Sequence, residues 1–233
     1  SSSDSDNGVG GSGGSAAGSG GATGGAAAGG AGGADPGPVP SGEPLWARRG
    51  DGLGRSVKIA VFEEGGLAVV GLFQDVIDFG AGAMASAGGN DAFVARFDLD
   101  GNCLWSTRFG GVGDDKAEGV AIDATGQVIV TGNFSGDITI GDDVLSGTGG
   151  NDVPLIKLSE HGELVWAMSF GGSGSDIAWD VAVGADGEIA LMGESVGPID
   201  FGGGALEGTE STFVAVLDGS GGLALSSTTF DMG

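Results

Sequence analysis

The sequence predicts an all-β fold built from repeated four-stranded antiparallel sheets. Three observations predict it. First, Trp46, Trp105 and Trp166 stand 59 and 61 residues apart, and Ser226 holds the same place 60 residues further on. A fixed period of that length marks a repeat architecture. Second, each copy contains the same short apolar runs, rich in Val, Ile and Phe and separated by Gly, Asn and Asp. That pattern reads as strands and turns. Third, no stretch keeps a helical apolar stripe over several turns, so almost no helix is expected.

The segments recur in one order. Val57–Val61, Val120–Asp123 and Val181–Val183 open the copies as apolar runs, and each leads to a Gly-centred turn at Gly65, Gly126 or Gly187. Glycine fits such turns because, without a Cβ, it adopts positive φ at little cost. β-branched runs ending at Gly71, Gly132 and Gly193 follow. Next come Gly-rich connections through Phe79, Ile140 and Phe201, then the runs at Asp91–Phe97, Asp152–Leu158 and Thr212–Leu217. A second Gly turn leads to the tryptophan segment. Four strands per copy give a sheet with two faces to cover, and stacking such sheets around an axis covers both, as a β-propeller does. A β-sandwich offers no reason for the sixty-residue period. The expected fold is therefore a partial β-propeller, preceded by a disordered Gly/Ser/Ala tail. Its four-stranded blades are placed at about 46–104, 105–165 and 166–225, with the start of a fourth at 226–233.

Gly119–Asp123 with Gly126–Gly132, and Asp91–Asp98 with Gly101, resemble the bacterial β-propeller repeats (SBBP-type) of secreted and surface proteins, particularly those of myxobacteria. The resemblance covers about residues 45–230. It implies a ring of about seven blades, usually exported, with no assigned catalytic residues. Three copies are too few to close a ring, which generally needs at least four blades. The expectation is a truncated ring, with assembly from several chains as the other route.

Residues 1–44 are a different material, almost wholly Gly, Ser and Ala and ending in a Pro-rich stretch. Without large apolar side chains such a segment cannot offset the entropy of ordering, and it reads as a flexible tether. Either it spaces the propeller from a membrane, behind a removed signal peptide and a lipid-modified cysteine, or it links two domains. No apolar stretch approaches the ~20 residues that span a bilayer.

With 8 Lys+Arg against 32 Asp+Glu, the formal charge is −24. Nucleic-acid binding needs basic surface, so it is not expected; an acidic field favours solubility and attracts cations. The single cysteine rules out an internal disulfide framework. Cys103 aligns with Leu164 and Ala224 and reads as a small apolar strand residue rather than a thiol nucleophile.

Weak calcium candidates are Asp115 and Asp176, each in a Gly/Asp loop (Gly110–Asp115, Gly171–Asp176), and Asp98 with Asp100. The first two resemble the start of a calcium-binding nonapeptide, which needs tandem nine-residue repeats. Here they lie 61 residues apart and read as caps of backbone N–H groups. Asp98–Asn102 lacks the distal bidentate Glu of an alternating-Asp loop, and its counterparts do not keep the carboxylate pair, so a hairpin turn is the expectation. His161 has no second histidine to work with and reads as an exposed turn residue. Trp179 lacks aromatic counterparts and reads as an exposed contact residue. No catalytic residue, cofactor or assigned metal site is expected. The leading reading is an exported or cell-surface, non-catalytic scaffold whose rim loops recognise a protein or polysaccharide. The competing one is a piece of a secreted glycan lyase or hydrolase.

Overall fold

The computed structural model describes residues 51–220 and 224–231. The expected tail, Trp46 and the last two residues lie outside them. Among the described residues there is no helix. Strands β1 (Asp51–Val61), β2 (Leu67–Asp78), β3 (Ala83–Ala85), β4 (Asp91–Phe97) and β5 (Cys103–Gly111) come first. Then follow β6 (Lys116–Ile122), β7 (Val128–Ile140), β8 (Asp143–Leu158) and β9 (Leu164–Phe170), and finally β10 (Asp176–Val183), β11 (Ile189–Ser195), β12 (Ser211–Leu217) and β13 (Ala224–Asp231). Every pairing is antiparallel. The orders β1-β2-β4-β5, β6-β7-β8-β9 and β10-β11-β12-β13 make three four-stranded meanders, with β3 a short addition to β2.

These sheets are offset from the tryptophan period. Trp105 lies in β5 and Trp166 in β9, the fourth strands of their sheets. The reason is the second Gly turn, which folds each tryptophan segment back onto the strand before it: Arg96 pairs with Trp105, and Lys157 with Trp166. The sheets therefore run from 51 to 111, 116 to 170 and 176 to 231, rather than breaking at 105 and 166. Ser226 belongs to β13, which pairs with β12 and completes the third sheet, so 226–231 of the residues read as a fourth beginning are a third ending, the last two lying outside the described residues.

Each sheet lays one apolar face on the next. Between the first and second sheets, Phe62, Val70, Val94 and Phe109 pack against Val130, Phe134, Ile138 and Ile156. Between the second and third, Ile129, Val153 and Leu155 meet Leu191, Phe201, Phe213 and Ala215. A third cluster, Phe73, Phe93, Ala95 and Phe97 with Phe79 and Met84, covers the other face of the first sheet. Burying one such side chain contributes about 1.5–3 kcal/mol. The outward face of the third sheet is less covered, with Met192, Val214 and Phe230 all exposed.

Two devices tie the first joint. Arg96 donates from Nη1 to the Glu160 carbonyl of the next sheet at 2.6 Å, and Trp105 Nε1 donates to the same oxygen at 2.8 Å. Arg96 also lies 4.0 Å over the Phe62 ring. The indole leans on Gly162, where an added Cβ would come within 2.7 Å of the ring at a φ of +82°. Lys157 repeats the reach into the third sheet more loosely, 3.4 Å from the Gly219 carbonyl. The equivalent positions in the third sheet are Val216 and Ser226, so neither the cationic side chain nor the indole recurs there. In addition, β5 pairs with the far end of β7 through Phe109, Gly110 and Gly111, a backbone seam between the first and second sheets.

Substituting Gly162→Ala should cost more than ~1 kcal/mol, because it combines unfavourable positive φ with a clash against Trp105. Gly136 has φ +75° and nothing within 4 Å of an added Cβ, so Gly136→Ala carries the backbone strain alone. Urea midpoints should fall further for Gly162→Ala than for Gly136→Ala; equal losses would show that the indole contact contributes nothing.

Candidate binding recess where the first strands converge

The first strands of the three sheets lie side by side, with β6 packed against β1 and β2 on one side and β10 on the other. Close approach is possible because Gly119 has no side chain: a Cβ there would meet the Asp180 Cα at 2.9 Å and the Val181 nitrogen at 3.0 Å. Lys58 on β1 spans to Asp180 on β10, with Nζ and Oδ2 2.8 Å apart. Both side chains are about two-fifths exposed, so this pair contributes at most ~1 kcal/mol and mainly sets position. Each first strand also carries a register shift at the same place, between Ser56 and Lys58, Ala117 and Gly119, and Ala178 and Asp180. Such bulges bend a strand and re-aim its side chains. Trp179, the extra residue of the third, is 38% exposed.

At the ends of these strands the first hairpin turns of all three sheets enclose a recess of about 220 Å³. Its lining includes Val61, Ile122 and Val183, the same position in each copy, together with Glu63, Glu64 and Asp123. Two roomier grooves, of about 490 and 360 Å³, open along the outer strands. Each offers one charged side chain, Arg108 or Asp143, and neither draws on all three sheets. In the recess Glu64 is held by Arg96 at 3.0 Å and Asp123 by Lys157 at 2.9 Å. Burial works to raise the Asp123 carboxyl. The hydrogen bonds from Thr125, Lys157 and Gln127 outweigh it and hold the group below the usual range.

The weak calcium candidates occupy separate places. Asp98 accepts from the Asp100 and Asn102 amides at 2.9 and 2.8 Å and from the Asn102 side chain at 2.9 Å, which fixes its hairpin turn. Those bonds, the Asn102 side chain first, lower its pKa. Asp100 is exposed in the same turn. Asp115 is buried and accepts from the Gly111 amide at 2.8 Å and the Ser135 amide at 3.0 Å. Asp176, also buried, accepts from the Gly172 amide at 3.0 Å. Among the described residues no three His, Cys, Asp or Glu side chains group as metal ligands would.

Reading the sequence alone misses the partners of Asp115 and Asp176, which are the buried Asp91 and Asp152. The signal was present: both pairs are 24 residues apart, in the same columns of successive copies. In the first joint Arg108 meets Asp91 at 2.8 Å. The second joint has Ser169 at that position, and among the described residues no ion pair is made by Asp152 or Asp176. A Cβ on Gly171 would lie 2.1 Å from Asp152 Oδ1 and 3.1 Å from Asp176 Oδ2, and Asp176 Oδ1 is buried without a hydrogen-bond partner. Burial, reinforced by the Asp152 charge, pushes Asp176 up to about 6 against the pull of the Gly172 amide. Burial likewise raises Asp91, Asp115 and Asp152.

Cys103 is half-buried beside the Phe73 cluster, and burial first, then the Asp78 charge, pushes its thiol up to about 11. The thiolate is therefore scarce at neutral pH, which is the wrong state for a nucleophile. His161 is exposed, 3.6 Å from Glu160 of its own turn. Among the described residues no helix is long and apolar enough to cross a membrane.

Because Asp176 binds its proton more tightly when folded than at its ordinary value of 3.8, its contribution is fully present below about pH 4 and is lost as pH rises through about 6. The wild type should melt higher near pH 5 than near pH 7.5. Asp176→Asn should flatten that slope and add on the order of 1–2 kcal/mol at the higher pH. Ser169→Arg, which copies the cation of the first joint, should act in the same direction. An unchanged slope in Asp176→Asn would assign the pH dependence to other groups.

No family model matches the chain. It is similar to an uncharacterized WD repeat-containing protein of Acanthamoeba polyphaga mimivirus, with 27% identity over 120 residues. The match takes in 47% of this chain and 8% of that protein, so it bears on a repeat unit and not on the whole relative.

Proposed function

We propose that this chain is part of a non-catalytic β-propeller, acting as an exported or cell-surface scaffold that binds a protein or polysaccharide through loops at one rim. One observation carries the reading: equivalent turns from three face-to-face sheets converge on a single recess beside their adjacent first strands. Sheets stacked in this way around an axis are how a propeller covers both faces of every blade. Similarity to a WD repeat-containing protein supports the repeat architecture, and likeness to the bacterial surface-protein repeats supports export. The exposed apolar side chains on the third sheet supply a face for further blades. In this reading the Gly/Ser/Ala segment is the tether and the −24 charge keeps the scaffold soluble.

The test is to immobilise the full chain and pass over it a panel of soluble polysaccharides and a defined peptide library, assaying retention and product size together. Recovery of a retained ligand at its original size is the expected result. Shortened glycan chains in the eluate would favour the hydrolase or lyase reading, and failure to retain any member of either panel would count against a binding module.

A further inference from the structure

The recess on the first-strand axis has a composition that selects among ligands. At about 220 Å³ it falls short of the ~300–1,000 Å³ typical of pockets for drug-sized molecules, so it suits one side chain rather than a sugar chain or a cofactor. Its apolar lining is aliphatic, made by Val61, Ile122 and Val183. No aromatic ring lines it on which a sugar could stack.

Its rim is acidic. The cations that approach it are already engaged, Arg96 by Glu64 and Lys157 by Asp123. Glu63 is exposed, with no ion pair among the described residues. Glu188 Oε2 adds a further negative group, 2.8 Å from where a Cβ on Gly184, a lining residue, would stand. An aliphatic lining beside the Glu63 carboxylate, the one lining carboxylate with no ion pair among the described residues, matches a side chain with an apolar stem and a charged head, which describes lysine and arginine.

We propose that the recess takes a single cationic side chain, Lys or Arg, from a partner polypeptide; this rests on the binding-module reading above and names the partner's chemistry. The chain's formal charge of −24 steers such a partner toward it and disfavours an anionic polysaccharide.

The test is a fluorescence-anisotropy titration of the full chain with a labelled five-residue peptide carrying one central arginine among alanines. Its neutral control carries citrulline in place of the arginine. Glu63→Gln should weaken arginine-peptide binding about tenfold, the scale of a hydrogen bond to a charged group, and the citrulline peptide should bind at least that much more weakly. Ala124→Trp and Ala185→Trp, both on exposed turn positions lining the recess, should abolish binding without touching the core. Unchanged affinity in both tryptophan variants would overturn the proposal in favour of diffuse surface attraction, and so would equal binding of the citrulline peptide. Free spermidine competing at the same concentration as the peptide would overturn the polypeptide assignment in favour of a small-polyamine site. A ligand retained equally by the wild type and Ala124→Trp would leave the binding-module reading standing while removing this recess from it.

Discussion

The second sheet is buried on both faces. From Val128 to Phe134 strand β7 has no exposed position, and β8 matches it from Asp152 to Ile156. A sheet apolar on two sides needs a neighbour on each, and that requirement organises the rest of the chain. It explains why the copies are of one length and why glycines stand where neighbouring backbones come closest. It also explains why the polar groups at the joints must find partners within a few ångströms. Gly111 and Gly119 show the constraint, since the Asp137 carbonyl and β10 respectively lie where their side chains would be.

The joints are alike in plan and differ in electrostatics. Each buries an aspartate pair that caps loop amides, which satisfies backbone donors that packing has cut off from water. In the first joint Arg108 offsets one of the buried charges. In the second no cation stands in that place among the described residues, and burial with the Asp152 charge raises the Asp176 pKa to about 6. The same copy of the motif is thus an ion pair in one place and a titrating group in the other, through one substitution of arginine by serine.

Strand identity and order were legible because they depend on local residue choice: β-branched runs, Gly turns and a steady period. Sheet boundaries were less so. Tryptophan is the most visible marker of the period, but it lies in the fourth strand, so counting from it splits each sheet at a hairpin. Lys58 and Asp180 are 122 residues apart and meet only after three sheets have stacked. Neither stands out in the sequence. The recess was also out of reach, since Val61, Ile122 and Val183 read simply as strand ends. The aspartates were visible as candidates. What the sequence could not say is that Asp91 and Asp152 would be their neighbours, because burial and proximity are properties of the joint.

The seam between β5 and β7 gives the three sheets unequal mechanical standing. The first and second share strand-to-strand backbone pairing across their boundary and form one nine-stranded sheet, whereas no such pairing joins the second and third among the described residues, which are held by side-chain packing and one backbone bond from Gly150 to the Gly174 carbonyl ahead of β10. Under tension applied through the chain, the third sheet is the unit that peels away first, leaving the nine-stranded body whole. The chain then has a built-in weak link, and its yield point lies at the joint that buries Asp152 and Asp176.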